Sequence, residues 1–333
     1  MNTRAPSDVP PSDVPPSDVS PSDVSPSDVP HFDIARFEAL RQKRRITLGA
    51  PLKHTRLTAS TNDDALTAAR AGAPHGATFV ADAQSAGRGR RGRHWFAAAG
   101  ESLLCSVVLR CDLPLERVSL LALVAGLAVR DAVAAAINAS ATINPSATIN
   151  PSATIDPSAT IDPSATIDAN ATTETNAAFN PSAESPRVLI KWPNDVWLDG
   201  RKLAGVLCES HVQGARLAAA IIGFGVNLTT ETFPDDLAAT ATSLLLASVH
   251  CARERLLVDI LTGIEARSLS LLHNGPEPLA RELARHDALY GRHVRIDEVE
   301  GVAAGFDYSG GLLVRLSQGE MVSLSAGSVE LVG

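Results

Sequence analysis

Large side chains are scarce in this chain. Aromatic residues make up 4% of its 333 residues, and alanine supplies much of the 45% that is hydrophobic. That apolar fraction is globular, but it overstates the bulk available to fill a core. The length allows two domains. Cysteine is sparse too: Cys105, Cys111, Cys208 and Cys251 form no CxxC pair and no metal-like spacing, and two of them sit inside apolar runs. The reading is reduced, buried cysteine in a cytoplasmic protein. No stretch supplies the roughly 20 uninterrupted apolar residues that span a bilayer, so no membrane partner is expected. The start, Met-Asn-Thr-Arg-Ala-Pro, lacks the apolar run of a secretory signal. An excess of positive charge is also missing. The net charge of −8 argues against broad nucleic-acid binding, although a local basic cluster could still matter.

Two stretches lack a folding pattern. Residues 6–30 repeat Pro-Ser-Asp-Val-Pro/Ser, starting at Pro6, Pro11, Pro16, Pro21 and Pro26. Proline at that frequency removes donors and blocks helix, so solvated, extended chain is expected. From about Asn138 to Pro186 a six-residue repeat carries one aliphatic each time, at Ile143, Ile149, Ile155, Ile161 and Ile167. A hexapeptide β-helix has this period, but the run is short for several coils and proline recurs within it. Disorder is the favoured reading, and either way the segment is an insertion.

The remaining chain alternates helix and strand. Ser60-Thr61-Asn62 offers N-cap groups to an Ala/Leu-rich helix that stops near Gly72. Strands are predicted at Ala77–Ala81 and Ser102–Leu109, and a long helix at Val118–Ile137. Val188–Trp192, Asp195–Leu198, Lys202–Glu209 and Leu217–Gly223 are closely spaced strands, an antiparallel meander by loop length. Leu256–Leu272 is a helix, and a short polar helix is a candidate around Phe32–Arg45. After Tyr290, five short segments separated by Gly-containing turns suggest a small separate β-barrel: His293–Ile296, Val302–Asp307, Leu312–Leu316, Met321–Leu324 and Val329–Val332. The domain division is therefore 1–45, low-complexity and mostly disordered; 46–287, a catalytic domain interrupted by 138–186; and 288–333, the barrel.

Three constellations carry chemistry. In Gln84-Ser85-Ala86-Gly87-Arg88-Gly89-Arg90-Arg91-Gly92-Arg93-His94-Trp95, four arginines alternate with three glycines directly after a strand. Glycine lets backbone approach an anion, and guanidinium groups supply forked, permanent charge. A polyphosphate or acyl-phosphate fits; nonspecific RNA or DNA binding, or a solvated basic turn, competes. Lys191-Trp192-Pro193-Asn194-Asp195, followed by Arg201-Lys202-Leu203-Ala204-Gly205, places two lysines on adjacent strands around Asn194 and Asp195. Fixed cations there would stabilise a carboxylate being activated by ATP, and Asp195 could help hold a magnesium ion or orient an arginine. An ordinary surface hairpin, with Trp192 and Trp197 in the core or rim, is the plainer reading. Gly223-Phe224-Gly225-Val226-Asn227 follows an apolar strand; it could read an adenine edge or be only a turn.

Taken in order, these motifs resemble the biotin–protein ligases over roughly residues 54–137 and 187–333. Ser60–Asn62, Gly87–Arg93 with Trp95, Lys191–Asp195, Lys202–Gly205 and Gly223–Asn227 all match, as does the weaker Ala241-Thr242-Ser243-Leu244. The resemblance implies an α+β fold: a mixed, largely antiparallel sheet packed on helices, similar to class II synthetases, with a C-terminal SH3-like small β-barrel. It implies biotin, ATP and Mg2+ as ligands. The activity would form biotinyl-5′-AMP and then acylate one lysine of a biotin carboxyl carrier protein domain. By resemblance, Ser60, Thr61, Asn62, Gln84 and Arg88 frame the biotin pocket, with backbone at Gly87, Gly205 and Gly223. The Arg88, Arg90, Arg91 and Arg93 loop orders over the adenylate, Trp95 packs against it, Asn194 and Asp195 lie beside it, and Asn227 contacts adenine. Lys202 is the main electrostatic catalyst and Lys191 a phosphate partner, and Arg88 is counted with them as catalytic. Sister lipoate ligases and octanoyltransferases would not be expected to carry the Arg/Gly loop, the Lys191–Asp195 turn and the barrel together. A non-enzymatic nucleic-acid-binding protein would leave the two-lysine hairpin unexplained. Fewer than 50 residues precede the matching pattern and no helix-turn-helix fits them, so the ligase-only type without DNA binding is expected. Because the Asn138–Pro186 repeats fall outside the resemblance, their deletion is expected to leave activity intact; a large loss of activity in the shortened protein would refute this.

Overall fold

The computed structural model describes residues 31–143 and 187–332. The expectations for the repeats at 6–30, and for the insertion from residue 144 on, lie outside the described residues. The first helix, α1 (Ile34–Arg44), is where a short polar helix was predicted, and it belongs to the folded body rather than to the repeats. Asp33 caps it through the Arg36 amide, and Phe37 is fully buried against the core. The structured chain therefore begins ahead of residue 46.

Seven strands form the main sheet: β1 (Leu52–Thr58), β2 (Thr78–Gln84), β3 (Ser102–Leu109), β4 (Val188–Lys191), β5 (Asp195–Leu198), β6 (Arg201–Gln213) and β7 (Arg216–Asn227). Their spatial order is β1-β2-β3-β7-β6-β5-β4, and every neighbouring pair is antiparallel except β1 with β2. The meander β4 to β7 is as the short loops predicted; β1 was not anticipated. Alternation along the strands splits the core. Val107 and Ile222 face the main cluster, while Val108 and Ile221 pack with Ala65 and Ala69 of α2 (Thr61–Arg70). Small alanines let α2 lie close to the sheet, which brings its N-terminus to the strand ends.

The opposite face is covered by α3 (Leu120–Ile143) and α5 (Arg253–Asn274), which pack on each other. Helix α3 continues past Ile137, where the apolar pattern stops, so a deletion that spares it must begin at residue 144. Leu115–Ala141 is long and apolar enough to cross a membrane by composition. Here its apolar side chains, Leu121, Val124, Leu127 and Val133 among them, are buried in the core. Between β7 and α5 lies one helical turn, α4 (Asp235–Ala238).

A further helix, α6 (Glu277–Arg285), leads to the second sheet. This comprises β8 (His293–Ile296), β9 (Val299–Phe306), β10 (Leu312–Arg315), β11 (Met321–Leu324) and β12 (Val329–Leu331), ordered β11-β10-β9-β8-β12 and antiparallel throughout. All five segments expected of a small barrel are strands, but no ladder joins β11 to β12 among the described residues. The two sheets are fastened together. The Trp192 indole, 2% exposed, donates from Nε1 to the Gly310 carbonyl at 2.9 Å. The linker ahead of β8 runs along the outer edge of β4, with Ile190 N–H donating to His286 O at 2.7 Å and Ala288 N–H to Ile190 O at 2.9 Å.

That linker buries Asp287. One carboxylate oxygen accepts from the Leu289 amide at 2.8 Å, and the other has no hydrogen-bond partner among the described residues. Burial pushes its pKa up to about 6, against the pull of backbone hydrogen bonds from Leu289 and Tyr290. A raised carboxyl pKa means that the folded state disfavours ionisation, so stability from this group is present at low pH and is lost as pH rises through about 6. The Asp287→Asn protein should gain on the wild type by roughly 2–3 kcal/mol between pH 4 and pH 8, at about 1.4 kcal/mol per pKa unit. Denaturant titrations of both proteins across that range check it, and a stability difference independent of pH would contradict it.

Candidate active site

The polar residues that open α2 are buried where the sheet meets the helix. Ser60, Thr61 and Asn62 are all at most 5% exposed. Ser60 occupies the N-cap position, but its side chain makes no capping bond. Instead Gln84, at the end of β2, accepts from the Thr61 amide at 2.7 Å and from the Thr61 hydroxyl at 3.1 Å. The Ser106 hydroxyl of β3 lies 2.8 Å from Thr61 Oγ1 and 2.6 Å from Asn62 Oδ1. The Asn62 amide donates to Glu209 Oε2 of β6 at 2.7 Å, and Arg88 reaches the same oxygen at 2.8 Å and Asp63 at 2.6 Å. Gly223 makes this possible, because a Cβ there would stand 1.8 Å from Asn62 Oδ1.

The Arg/Gly segment is a formed hairpin. Trp95 N–H donates to Gly87 O at 2.9 Å, Gly89 N–H to Arg93 O at 2.7 Å, and Arg88 bridges to His94. Its tip turns through left-handed backbone at Arg91 and Gly92. The hairpin lays the Trp95 ring across β6 and β7 at Gly205 and Gly225, which face each other in register. A Cβ at Gly205 would meet the ring at 2.9 Å and one at Gly225 at 2.6 Å, so both positions must be bare for the indole to lie flat. Trp95 Nε1 is buried and has no hydrogen-bond partner among the described residues.

Beyond the indole come the cations. Lys202 Nζ is 5.4 Å from the Trp95 ring centroid and 2.8 Å from Asp195 Oδ1. Lys191 Nζ stands 4.9 Å from the Trp197 ring centroid. Burial lowers the Lys191 pKa, and the nearby Lys202, Arg93 and Arg292 charges add to that while Asp195 opposes it. Burial likewise lowers that of Arg90, beside Arg91 and Arg93. The two lysines were expected on adjacent strands; they end β4 and open β6, with β5 between them. The proline turn reverses the chain at once, so Asp195 pairs with Lys191 on one side and Gly205 on the other.

These groups enclose one cavity of about 550 Å³. Of the residues singled out from sequence, Ser60, Thr61, Asn62, Gln84, Arg88, Arg90, Arg93, Trp95, Lys191, Asn194, Asp195, Lys202, Gly205 and Gly223 line it; Gly87, Arg91 and Asn227 do not. Gly87 holds the base of the hairpin, and Arg91 points to the second sheet, 3.3 Å from Asp297. Asn227, 4% exposed, spends its amide nitrogen on the Thr242 carbonyl at 3.0 Å. That bond fixes the segment whose Ala241 bridges to Lys202. Asn194 lines the wall while donating to Val206 O at 2.6 Å. Phe224 and Gly225 of the third motif line it too, as do Leu104, Val206 and Leu331, which were not singled out because their apolar pattern looked like core alone. Asp195 is the single carboxylate among the described lining residues, so it is the one that could touch a metal ion there. A second group, His31, His54 and Asp82, lies within 4.8 Å outside the cavity. Arg253 holds Asp82 at 2.9 Å and Arg56 contacts His31 at 2.5 Å, so two guanidinium charges already fill that cluster.

Chemical character thus changes along the sheet. Buried polar donors and acceptors gather at β2, β3 and the start of α2, with the Arg88 ion pairs at their rim; an indole and apolar wall follow at β7 and β6, and fixed cations at β6 to β4. This suits a ligand with an uncharged polar head, an apolar middle and an anionic end.

The chain is similar to known proteins in sequence and in fold. The sequence pattern of the Biotin/lipoate A/B protein ligase family matches residues 55–227. The biotin--[acetyl-CoA-carboxylase] ligase of Mycobacterium tuberculosis is 32% identical over 280 residues, covering 82% of this chain and 85% of that one. The bifunctional ligase/repressor BirA of Bacillus spizizenii is 29% identical over 279 residues, covering 82% and 71%. In fold, the chain is similar to a biotin protein ligase from Aquifex aeolicus solved with biotin and ATP. The TM-score is 0.60 and the identity 22%, with 85% of this chain and 99% of that one covered. With a family pattern over more than half its length and that mycobacterial relative, the chain belongs to the biotin/lipoate A/B protein ligase family.

Proposed function

We infer that this protein is a biotin–protein ligase, which activates biotin with ATP and transfers it to a lysine of a carboxyl carrier protein. The observation that carries the reading is the order of the cavity across the sheet. Biotin has an uncharged ureido head, an apolar body and a carboxylate, in the sequence that β2 to β4 present. A carboxylate oxygen attacks the α-phosphorus of ATP, the bond to the β-phosphate breaks, and pyrophosphate leaves. The acceptor amine then attacks the acyl carbon of biotinyl-5′-AMP, loses a proton, and AMP departs. The mixed anhydride stores the activation, so no covalent enzyme intermediate is needed.

The residues divide the work. Thr61, Asn62 and Gln84 present buried polar groups to the ureido end. Trp95 covers the ligand and excludes water, which protects the adenylate from hydrolysis. Lys202, held by Asp195 at 2.8 Å, places fixed positive charge where carboxylate and α-phosphate come together. Arg90, Arg93 and Lys191 neutralise phosphate, while Arg88, held by Asp63 and Glu209, frames the polar end. Asn227 positions the wall beside Lys202. Mg2+ would travel with the ATP phosphates and shield their charge; Asp195 is the protein carboxylate in reach, and its pairing with Lys202 leaves most of the coordination to phosphate and water.

The partner in this reading is the carrier domain of a biotin-dependent carboxylase. Ahead of β1, helix α1 packs on α5. The four free cysteines fit a reducing cytoplasm, and no membrane partner is assigned. The lipoate or octanoyl alternative gains nothing from the site. In the nucleic-acid alternative the Arg/Gly loop would be free, yet Arg88, Arg90 and Arg93 line the cavity.

Exchange of labelled pyrophosphate into ATP should require biotin; exchange supported by lipoate or octanoate instead would overturn the reading. Lys202→Ala should lower the exchange rate by about 100- to 1,000-fold, the scale of removing one preorganised charge. Its melting temperature should stay within a few degrees, because the Lys202 side chain is 34% exposed at the cavity. A melted variant, or one with full rate, would contradict the assigned role.

A further inference from the structure

The loop arginines do not share one task. Arg88, Arg90 and Arg93 line the cavity, whereas Arg91 turns to the second sheet. Its two terminal nitrogens lie 3.3 Å from the two carboxylate oxygens of Asp297, a forked contact. Asp297 occupies the turn between β8 and β9. Both partners hold left-handed backbone, φ 55° at Arg91 and 52° at Asp297, which side-chain-bearing residues seldom adopt. Each thus stands at the apex of its own hairpin, and the two apices meet.

We propose that Asp297 is a positioning residue that tethers the Arg/Gly loop through Arg91, so that the C-terminal sheet holds the loop shut over the cavity. The far end of the tether is anchored: Trp192 is bonded to Gly310, and Leu331 of β12 itself lines the cavity. The near end is the tip of the hairpin that carries Trp95, so a pull at Arg91 acts on the whole cover. Arg91 and Asp297 are 48% and 60% exposed, which makes the pair salt-sensitive and modest in strength. A modest bond is what a cover requires if it must open in every catalytic cycle. The consequence for catalysis rests on the ligase reading; the tether itself does not.

Limited trypsin digestion of the full-length protein, without ligands, tests it. Cleavage after Arg88, Arg90 and Arg93 is followed by mass. Asp297→Asn should accelerate it about two- to five-fold, the span of an exposed ion pair, with an unchanged melting temperature. High salt should accelerate the wild type but not the variant, and the exchanged pair Arg91→Asp with Asp297→Arg should return towards the wild-type rate. Equal cleavage in wild type and Asp297→Asn would overturn the tether whatever the activity. In the exchange assay Asp297→Asn should raise KM for ATP more than it lowers kcat, and release of biotinyl-5′-AMP in the absence of acceptor should quicken. A fall in kcat alone would place Asp297 outside loop positioning, while failure of biotin-dependent exchange in the wild type would overturn the ligase reading and leave the digestion result standing.

Discussion

An indole resting on bare backbone is the contact that organises this site. Gly205 and Gly225 face each other across β6 and β7, and the ring of Trp95 lies over both. A sheet ordinarily presents side chains on each face; here two opposed positions present none, and a flat surface about the width of the ring results. The hairpin that delivers Trp95 also delivers Arg88, Arg90 and Arg93, so seating one ring sets three charges. Lys202 is reached by the same surface, 5.4 Å from the ring centroid. A side chain at either glycine would lift the indole and with it the cover.

The sheet that provides this surface also works as a ruler. Strand order converts positions far apart in sequence into a graded sequence of environments. Gln84 and Asn62 share the buried polar end, although Glu209, which completes their network, is well over a hundred residues away. Lys191 and Lys202 reach the cationic end because β5 is only four residues long and the turns around it are tight. The helices contribute through position more than chemistry. Small side chains on α2 bring its N-terminus to the strand ends, and α3 with α5 closes the other face so that the strands can be apolar there.

Much of this was legible beforehand, for reasons that differ by element. Strands β3, β5, β8 and β11 have the predicted limits because an apolar or alternating run is bounded by glycine, proline or charge. β1, Leu52–Thr58, escaped because it lies at an edge and mixes Lys53, His54 and Arg56 with two leucines. α6 follows Pro276 and shows just Leu279 and Leu283 as its buried pair, too brief a period to stand out. Most of the site came from motifs whose chemistry is local: the arginines of the loop, the lysines of the hairpin, the polar start of α2. What could not be read was which partner each residue has. Gly223 and Gly225 were glycines at a strand end until Asn62 and Trp95 were found against them. Asn227 and Arg91 carry functional side chains, yet their targets, Thr242 and Asp297, are set by tertiary contacts. Polar character advertises a role without saying whether a ligand or the protein itself will meet it.

The buried nitrogen of Trp95 has a thermodynamic meaning. Its N–H lies out of reach of solvent with no acceptor among the described residues, and a donor stranded in that way costs on the order of 1–3 kcal/mol. An acceptor brought to that N–H relieves the cost. A guest that offers an oxygen to the indole removes it, and one of the same shape without that oxygen does not. Discrimination between guests would thus rest partly on one N–H of the cover as well as on the charges around it.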